Sequence, residues 1–485
     1  MGLSVALNTA RGSLLANGTQ TDVVSRNVAG TSDPSYSRKV ASLVTTDGPV
    51  RVVVDRAGNT ALFDRMIGST SELAGRTAVL GGLSTLEQTV GDTDAGRSVA
   101  AKVGALNVAL GNAANQPSDI NLAKGAVAAA KDLAQALNQA TTKTQGVRAT
   151  ADIEIDNAVK TINDLLAQFD KANQAVLSGT ARGGDISDAL DNRDKILAKL
   201  SQELGVSTVV RANNDMAIYA DNGSPLYERG ARSVTFEPIA GYGPGTVGNA
   251  VFIDGVRVTG KGSLMPLQAG RIVGQMTVRD EIAVTYQGQL DAIARGAITA
   301  FSETDRTSAA GTALAGLLTY AGGPALPALG AVGLAGTIRV NAAADPERGG
   351  NPFTLRDGGM NAGTQYQYNP ANAASFSDHL RALQAAVRAD QAFPAASELP
   401  TATSLLTAAE SSVSWLEATR KAASVQVDNE AAFLSSASTA LSNATGVNRD
   451  DEVATMLQLE KSYAASAKLI ATVNAMLQSL LDAVR

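Results

Sequence analysis

The sequence predicts a mainly α-helical protein with an inserted β-rich segment, in which the first and last helices pair with each other. Apolar residues recur at both ends of the chain with alternating spacings of three and four, which is typical of helices that pair along one stripe. Helical periodicity fills most of the middle of the chain. Between residues 206 and 269 the period shifts toward two, which indicates strands.

The N-terminal helix is predicted from a single apolar stripe within residues 1–29. Asn17 and Thr21 interrupt that stripe with polar side chains. Gly30 and Pro34 then end the helical pattern, since both residues disfavour its continuation. The apolar stripe positions are Leu3, Leu7, Ala10, Leu14, Val24 and Val28.

The C-terminal helix has a longer stripe, and 452–484 would form a helix of roughly 50 Å at 1.5 Å per residue. Asn448 or Asp450 is predicted to cap its start. Asp451 and Glu452 suit the positive end of its dipole. The stripe positions are Met456, Leu459, Tyr463, Ser466, Ile470, Val473, Leu477, Leu480 and Val484.

Between the two ends, 50–55 (VRVVVD) is predicted as a short strand and 62–204 as helical. The helical region breaks near 115–118, and Ser118 or Asp119 is predicted to cap the helix that follows. Asp254-Gly255 predicts a hairpin turn. Residues 272–304 are predicted as helix, 305–372 as loops and short strands, and 373–446 as helix broken at Pro394 and Pro400.

This order predicts a nested arrangement in which both chain ends lie together. The predicted domains are a terminal coiled-coil domain (1–35 with 447–485), a helical body (36–205 with 270–305 and 373–446), a β-rich insertion (206–269) and a Gly/Pro-rich segment (306–372) packed on the body or the insertion. No other stripe lies close in sequence to cover the terminal helices. We therefore expect them to be loose in the monomer and helical in an assembly.

The composition excludes several classes of protein. The chain has no cysteine, which rules out disulfides, zinc–thiolate sites and thiol nucleophiles. Its net charge is −6 without a basic block, so no nucleic-acid partner is expected. The uncharged stretch between Arg306 and Arg339 is broken by glycines and prolines. It therefore predicts strands and turns rather than membrane insertion.

No catalytic, cofactor or metal site is predicted. The one histidine, His379, is predicted on a helix surface. GVRVTGKG (255–262) lacks the Ser or Thr after Lys and the following helix that a phosphate-binding loop needs. Asp191 and Asp194 flank Arg193, and Asp280 and Glu281 follow Arg279. Both groups are predicted as surface or interdomain ion pairs rather than as a paired acid and base.

The stretch SRNVAGTSDPSYSRKV (25–40) resembles the N-terminal motif of flagellar rod, hook and hook-associated proteins. That motif has a Ser-x-Asn-Ile/Val-Ala core followed by a Pro-Gly-Tyr-x-Arg turn. Ser35 stands where the family has Gly, so the turn is expected to be less tight. The matching residues are Ser25, Asn27, Val28, Ala29, Pro34, Tyr36 and Arg38.

Further segments resemble the hook-associated protein 1 family, the first hook–filament junction proteins. The similarity covers nearly the whole chain and is weakest over 206–268 and 305–372. Arg449 and Asp451 depart from the usual Leu and Glu. The similar segments are NQPSD (115–119), LDNRDKILAKLSQELGV (190–206), AGRIVGQMTVRDEIAVTYQGQLD (269–291) and GVNRDDEVATMLQLEKSYAASAKLIATVNAML (446–477).

The resemblance implies a structural protein of the bacterial flagellum. Copies of it would form a ring that contacts the hook protein and the second junction protein, with paired terminal helices lining the inner tube. The 25–40 elbow would join this inner layer to the outer domains. The resemblance also implies export from the cytoplasm through the flagellar type III system, after a chaperone has bound the C-terminal helix.

Two alternatives remain. The chain could be another axial protein, although flagellin and the second junction protein would lack the elbow and a hook protein would lack the Arg-Asp segments. It could also be a secreted enzyme on a helical scaffold, which would require a convergent polar cluster.

Overall fold

The computed structural model describes residues 3–44, 51–88, 96–307 and 311–483. Within them, long helices carry most of the structure and the strands are short, which confirms the predicted fold class. The helices are α1 (Leu3–Gly30), α2 (Thr60–Glu87), α3 (Val99–Asn115), α4 (Ile120–Arg182), α5 (Ser187–Glu203), α6 (Arg271–Thr277), α7 (Ala283–Ala300), α8 (Thr354–Asp357), α9 (Asp378–Arg388), α10 (Leu405–Thr445) and α11 (Arg449–Asp482).

All strand pairs in the described ranges are antiparallel, in four two-stranded sheets and two three-stranded sheets, β3-β4-β5 and β6-β7-β8. The strands are β1 (Lys39–Val44), β2 (Arg51–Arg56), β3 (Val206–Val210), β4 (Met216–Ala220), β5 (Pro225–Tyr227), β6 (Val234–Thr235), β7 (Phe252–Ile253), β8 (Val256–Arg257), β9 (Glu303–Thr304), β10 (Ala313–Leu314), β11 (Leu318–Thr319), β12 (Arg339–Val340), β13 (Gln391–Ala392) and β14 (Ala402–Thr403).

Helix α4 is the longest element and connects the two halves of the molecule. At 1.5 Å per residue its length is about 95 Å. The Asp119 side chain caps its start by accepting a hydrogen bond from the Asn121 N–H at 2.7 Å, which confirms one of the two predicted caps. It ends at Gly183, whose φ of 64° is the left-handed conformation common after a helix.

Two apolar cores lie along α4. Its first half, up to Ala151, belongs to a core with α3, α7, α9, the first half of α10 and parts of 313–355. Its second half, from Ile155, packs in another core with α5, α6 and the β-rich segment. The two cores are distinct because the interior between them is polar, with Asp152 and Arg279 forming a fully buried ion pair of 2.5 Å.

The β-rich segment shares its core with helices. Ile218, Leu226, Val251 and other side chains of residues 206–269 pack with the second half of α4. The predicted hairpin at Asp254-Gly255 is confirmed, with φ values of 50° and 78° that suit its two central turn positions. The predicted domain boundaries stay a proposal. The shared core is relevant to them because it joins the predicted β-rich insertion to helices of the predicted body.

The sequence prediction missed one strand near the N-terminus. It gave a single strand at 50–55, but β1 pairs with β2 in register from Lys39↔Arg56 to Val44↔Arg51. Only part of KVASLV alternates between apolar and polar residues, so its sequence gives a weak strand signal. In the uncharged stretch between Arg306 and Arg339, the described residues form short strands and turns, as predicted.

Candidate assembly surface and elbow

The first and last helices lie against each other in antiparallel orientation. Asn17 donates a hydrogen bond to the Ser462 hydroxyl at 2.9 Å, and Asn27 donates one to the Glu452 carboxylate at 3.0 Å. The residue numbers of the partners fall along α11 as they rise along α1, so the two helices run antiparallel. Asn448 caps α11 by accepting from the Asp450 N–H at 3.1 Å, confirming one of the two predicted caps.

The predicted stripes lie mostly on the side where the helices meet. Ala10, Val24, Ser466 and Val473 are buried, whereas Tyr463 and Leu480 are exposed. Val484 lies outside the described residues, as does the side chain of Leu3. The role of these residues in a coiled coil remains a prediction. The half-buried members are Leu7, Leu14, Val28, Met456, Leu459, Ile470 and Leu477.

A second buried face on α1 was not predicted. Ala16 and Val23 are buried, and Gln20 donates a hydrogen bond to the Ala41 carbonyl of β1 at 3.2 Å. These positions share one helix face with Asn27, because spacings of three and four place residues side by side. The β1/β2 hairpin packs on this face. The sequence contains the signal for this face, because Ala16, Gln20 and Val23 follow one another at spacings of four and three.

Helix α11 also carries apolar side chains that nothing in the described chain covers. We call them the outer stripe, and each is at least 43% exposed. Each such side chain would contribute roughly 1.5–3 kcal/mol on full burial, so together they favour a partner. The outer stripe consists of Val453, Leu457, Leu469, Met476, Leu480 and Leu481.

Among the described residues, one stretch within Leu405–Asp482 is long and apolar enough to cross a membrane by length and composition. Only 11% of the apolar window is buried. An apolar helix surface meant for a neighbouring protein passes the same test, so this stretch gives weak support for a membrane span.

Asn27 is the centre of the elbow. It is 1% exposed, and all of its hydrogen-bonding groups are engaged within the fold. Its amide N donates to the Lys39 carbonyl at 2.8 Å and to Glu452, while its amide O accepts from the Lys39 N–H at 2.9 Å and the Tyr36 hydroxyl at 3.0 Å. Burial raises the pKa of Tyr36 to about 12, so this hydroxyl stays a donor at neutral pH.

The turn that follows is closed, contrary to the expectation from Ser35. The Tyr36 N–H donates to the Asp33 carbonyl at 3.0 Å, and Pro34 occupies the second turn position. Ser35 does not need the positive φ that a glycine would supply, because this arrangement fits a type I turn. Its N–H donates to the Asp33 carboxylate at 2.9 Å. Hydrogen bonds from Ser35 and then Lys195 lower the pKa of Asp33 to about 2.

Glu452 joins the two ends of the chain. It is 1% exposed and lies in the first turn of α11. Its carboxylate accepts from Asn27 at 3.0 Å and from Arg38 Nε at 2.6 Å. Hydrogen bonds to Glu452 thus connect the two matched motifs, one near each terminus. The other matched residues Ser25, Ala29 and Pro34 are exposed.

The elbow connects α1 to the β1/β2 hairpin. The hairpin packs on α1, so the chain reaches the outer domains only after Arg56. The resemblance implied that the elbow itself joins the inner layer to the outer domains, and this role stays a proposal. Two chain connections link α1, the hairpin and α11 to the rest of the chain, one at 57–59 and one at 446–448.

The prediction for His379 is wrong. Its side chain is buried and stacks on Tyr368 with ring centroids 3.8 Å apart. Burial lowers the pKa of His379 to about 4, with a further contribution from Arg306. The sequence held the signal, because Leu383 and Val387 follow His379 at spacings of four on the buried face of α9.

Of the predicted ion pairs, Arg279 with Asp280 forms, whereas Asp191 and Asp194 have a different partner. Asp191 and Asp194 bind Arg56 of β2 at 3.1 and 2.6 Å, not the neighbouring Arg193. Arg193 is buried and donates to the Asn173 side chain at 3.1 Å. Helix geometry explains the difference, because Arg193 lies on another face of α5 than the two carboxylates, and that face is buried.

Arg279 is fully buried in the interior. It pairs with Asp152 at 2.5 Å and Asp280 at 2.8 Å. GVRVTGKG runs through β8 into a turn, and no helix begins there. In the described ranges, no group of three or more His, Cys, Asp or Glu side chains could hold a metal ion.

Comparison with known proteins confirms the family resemblance. The family model described as flagellar hook-associated protein FlgK helical domain matches residues 83–319. The model described as flagellar basal body rod FlgEFG protein C-terminal matches residues 438–483, which contain Glu452 and the whole of α11. No curated protein matches the chain.

A solved structure is also similar, that of the flagellar hook junction protein FlgK from Burkholderia pseudomallei. Its sequence is 20% identical, and the TM-score is 0.43. The similarity covers 53% of this chain and 46% of that chain, so the match spans less than half of that protein's length.

Proposed function

Because the chain belongs to the FlgK family of flagellar hook-associated proteins, we propose that it is a structural subunit of the junction between hook and filament. The observation that carries this proposal is the joining of both chain ends through Asn27, Arg38 and Glu452. This joint presents α1 and α11 as one rod, with the outer stripe exposed for neighbouring subunits. The role is structural and not enzymatic.

The partners follow from the same proposal. Copies of the chain form a ring through their terminal helices, with the hook protein on one side and the second junction protein on the other. The subunit acts outside the cell and reaches its place through the flagellar type III system. The coiled-coil stripes, the elbow and the predicted domain boundaries are part of this proposal.

Deletion of the gene in its own bacterium tests the position. We expect cells that keep their hooks, lose attached filaments and release flagellin into the medium. Immunogold labelling of wild-type flagella should mark a band between hook and filament. Label along the filament would identify a flagellin instead, and label along the hook would identify a hook protein.

An export chaperone is expected to bind α11 before secretion, because the outer stripe would otherwise be exposed in the cytoplasm. Removal of 452–485 should abolish capture of the chaperone in a pull-down. Removal of 306–339, a segment of equal length, is the matched control and should leave capture intact. Capture by the chain without 452–485 would place the chaperone site elsewhere.

A further inference from the structure

Charges of opposite sign face each other where the chain ends meet the rest of the molecule. We call α1, β1, β2 and α11 the terminal unit, and the part from α2 to α10 the body. Most ion pairs at this contact place the cation on the terminal unit and the carboxylate on α5 or just before it, and one exposed pair, Asp33 of the elbow with Lys195 of α5 at 2.9 Å, has the opposite polarity. The cations are Arg26, Lys39 and Arg56, and the carboxylates are Asp185, Asp188, Asp191 and Asp194.

The contacts are direct. Arg26 donates to Asp185 at 3.0 Å, and Arg56 donates to Asp194 at 2.6 Å and to Asp191 at 3.1 Å. Successive carboxylates are three residues apart, which places them along one side of α5. The side chain of Arg56 is 16% exposed and that of Asp191 7%, so part of this contact is withdrawn from water.

The carboxylates stabilise two cations, Lys39 and Arg56, that lie close to each other. Lys39 and Arg56 are opposite each other in the β1/β2 ladder, and like charges at opposed positions repel. The Lys39 side chain is 1% exposed, and its ammonium group hydrogen-bonds Asp188. Tyr36 covers the same ammonium, which lies 4.5 Å from the ring centroid. Docking on α5 therefore neutralises a charge pair that would destabilise the free hairpin.

Apolar packing contributes little to this contact. Neither of the two apolar cores includes a residue of 3–44, 51–56 or 446–483 among the described residues. By contrast, the hydrogen bonds that join Asn27, the Arg38 side chain, Lys39 and Glu452 lie within the terminal unit. Two bonds of the elbow reach the body, from the Arg38 N–H to the Thr445 carbonyl at 2.7 Å and from Lys195 to Asp33 at 2.9 Å. The terminal unit can therefore separate from the body without losing its own internal bonds.

One buried atom at this contact is poorly satisfied. Asp191 Oδ2 is inaccessible to solvent and accepts no hydrogen bond, and the Lys39 ammonium lies 3.8 Å from it. Burial raises the pKa of Asp191. A buried carboxylate oxygen without a donor costs free energy, so the docked arrangement is weaker than its number of charges suggests.

We propose that Arg26, Lys39 and Arg56 form an ionic latch with the four carboxylates on α5 or just before it, and that screening or removing these charges lets the terminal unit swing as one body. The pivot is the pair of connections at 57–59 and 446–448. In the assembly, which rests on the proposed function, the latch lets one subunit type adopt the different angles required beside hook and filament. Interfaces held by charge rather than apolar area permit such motion between domains.

The test uses the full-length chain as a monomer. Because the chain has no cysteine, spin labels attach only at introduced sites, here Gln458→Cys on α11 and Gln174→Cys on α4, both exposed positions. Double electron–electron resonance then reports the distance between terminal unit and body. At low ionic strength we expect one narrow distribution. In about 1 M salt, where the screening length is about 3 Å, we expect it to broaden and shift.

A variant separates the latch from general salt effects. Asp188→Asn with Asp191→Asn should broaden the distribution already at low salt. The matched control, Asp164→Asn with Asp428→Asn, removes the same charge from exposed positions outside the latch and should keep it narrow. A distance unchanged by both salt and the latch variant would overturn the proposal.

A loss of helix signal in circular dichroism under the same conditions would also overturn it, because the terminal unit would then unfold rather than turn. The measurement involves no assembly. Its failure would therefore leave the junction role standing, whereas filaments that persist after gene deletion would remove that role and leave the latch intact.

Discussion

Asn27 and Glu452 share a buried hydrogen bond of 3.0 Å although 425 residues separate them in sequence. The same carboxylate accepts from Arg38 at 2.6 Å. Through this one acid, the motif near the N-terminus and the motif near the C-terminus become a single structural element. The orientation of α11 relative to α1 and the hairpin thus depends on residues from both ends.

Replacement of Glu452 by Ala should loosen this joint, because Asn27 and Arg38 would each lose a charged acceptor. A buried donor left without a partner costs about 1–3 kcal/mol. Hydrogen exchange should speed up in residues 25–40 and in the first turn of α11. The control is Glu460→Ala, an exposed glutamate on the same helix. Equal protection in both variants would mean that Glu452 does not hold the elbow.

Gly30 and Gly18 should respond to Ala with opposite signs. A Cβ on Gly30 would lie 2.6 Å from Cγ of Tyr36, so the ring would have to leave its place beside Asn27. Nothing lies within 4 Å of a Cβ on Gly18. There Ala should stabilise α1 by about 0.5–1 kcal/mol, since glycine is the poorer helix former.

Urea unfolding of both glycine variants, followed by circular dichroism, gives the comparison. We expect a lower midpoint for Gly30→Ala and a higher one for Gly18→Ala. A Gly30→Ala chain at least as stable as the unmodified protein would show that the packing of Tyr36 adjusts at no cost.

Two pairs of substitutions on α11 should separate assembly from helix pairing. Leu457→Asp with Leu469→Asp changes the outer stripe, where the side chains are 54% and 57% exposed. We expect assembly to fail while the monomer keeps its melting temperature. Ile470→Asp with Leu477→Asp changes half-buried stripe residues. It should stop assembly and also loosen α1 from α11, leaving the body folded.

Sedimentation measures assembly, and hydrogen exchange on α1 measures helix pairing. Gln458→Asp with Gln478→Asp adds the same charge at exposed polar positions of α11 and should leave both unchanged. Normal assembly of the Leu457 and Leu469 variant would remove the outer stripe from the interface. A large fall in the melting temperature of either Asp variant would mean that α11 supports the body.

Acidification should destabilise the fold through His379. Its folded pKa of about 4 lies below the ordinary value of 6.5, so the unfolded chain binds the proton more readily between these values. The contribution to stability is complete above pH 6.5 and is lost as the pH falls toward 4. It amounts to roughly 3 kcal/mol at 1.36 kcal/mol per pKa unit.

The chain has one histidine, so a single imidazole signal in the NMR spectrum reports this titration without assignment. A midpoint near 4 is expected in the folded protein, and His379→Gln should flatten the pH dependence of unfolding between 6.5 and 4. A midpoint near 6.5 would show that the ring is accessible to water and that the stack on Tyr368 does not persist.

Much of the fold could be predicted because local patterns specify it. The stripe from Met456 to Leu477 gives α11 its length and its contact side, and Asp254-Gly255 specifies its hairpin. The prediction failed for side chains whose partners are distant in sequence. Nothing near Arg56 shows that Asp191 and Asp194 bind it, and no local pattern places Glu452 between Asn27 and Arg38.

The sequence alone determined the helix-rich class, the two terminal stripes and the family, because periodicity, turn residues and matched motifs are all local properties of the chain. The tertiary structure decided where the charges pair, that the β-rich segment shares a core with α4, and that the elbow leads into a hairpin. These depend on which surfaces meet in space. Burial and pairing free energies act between residues hundreds of positions apart, so no local pattern records them.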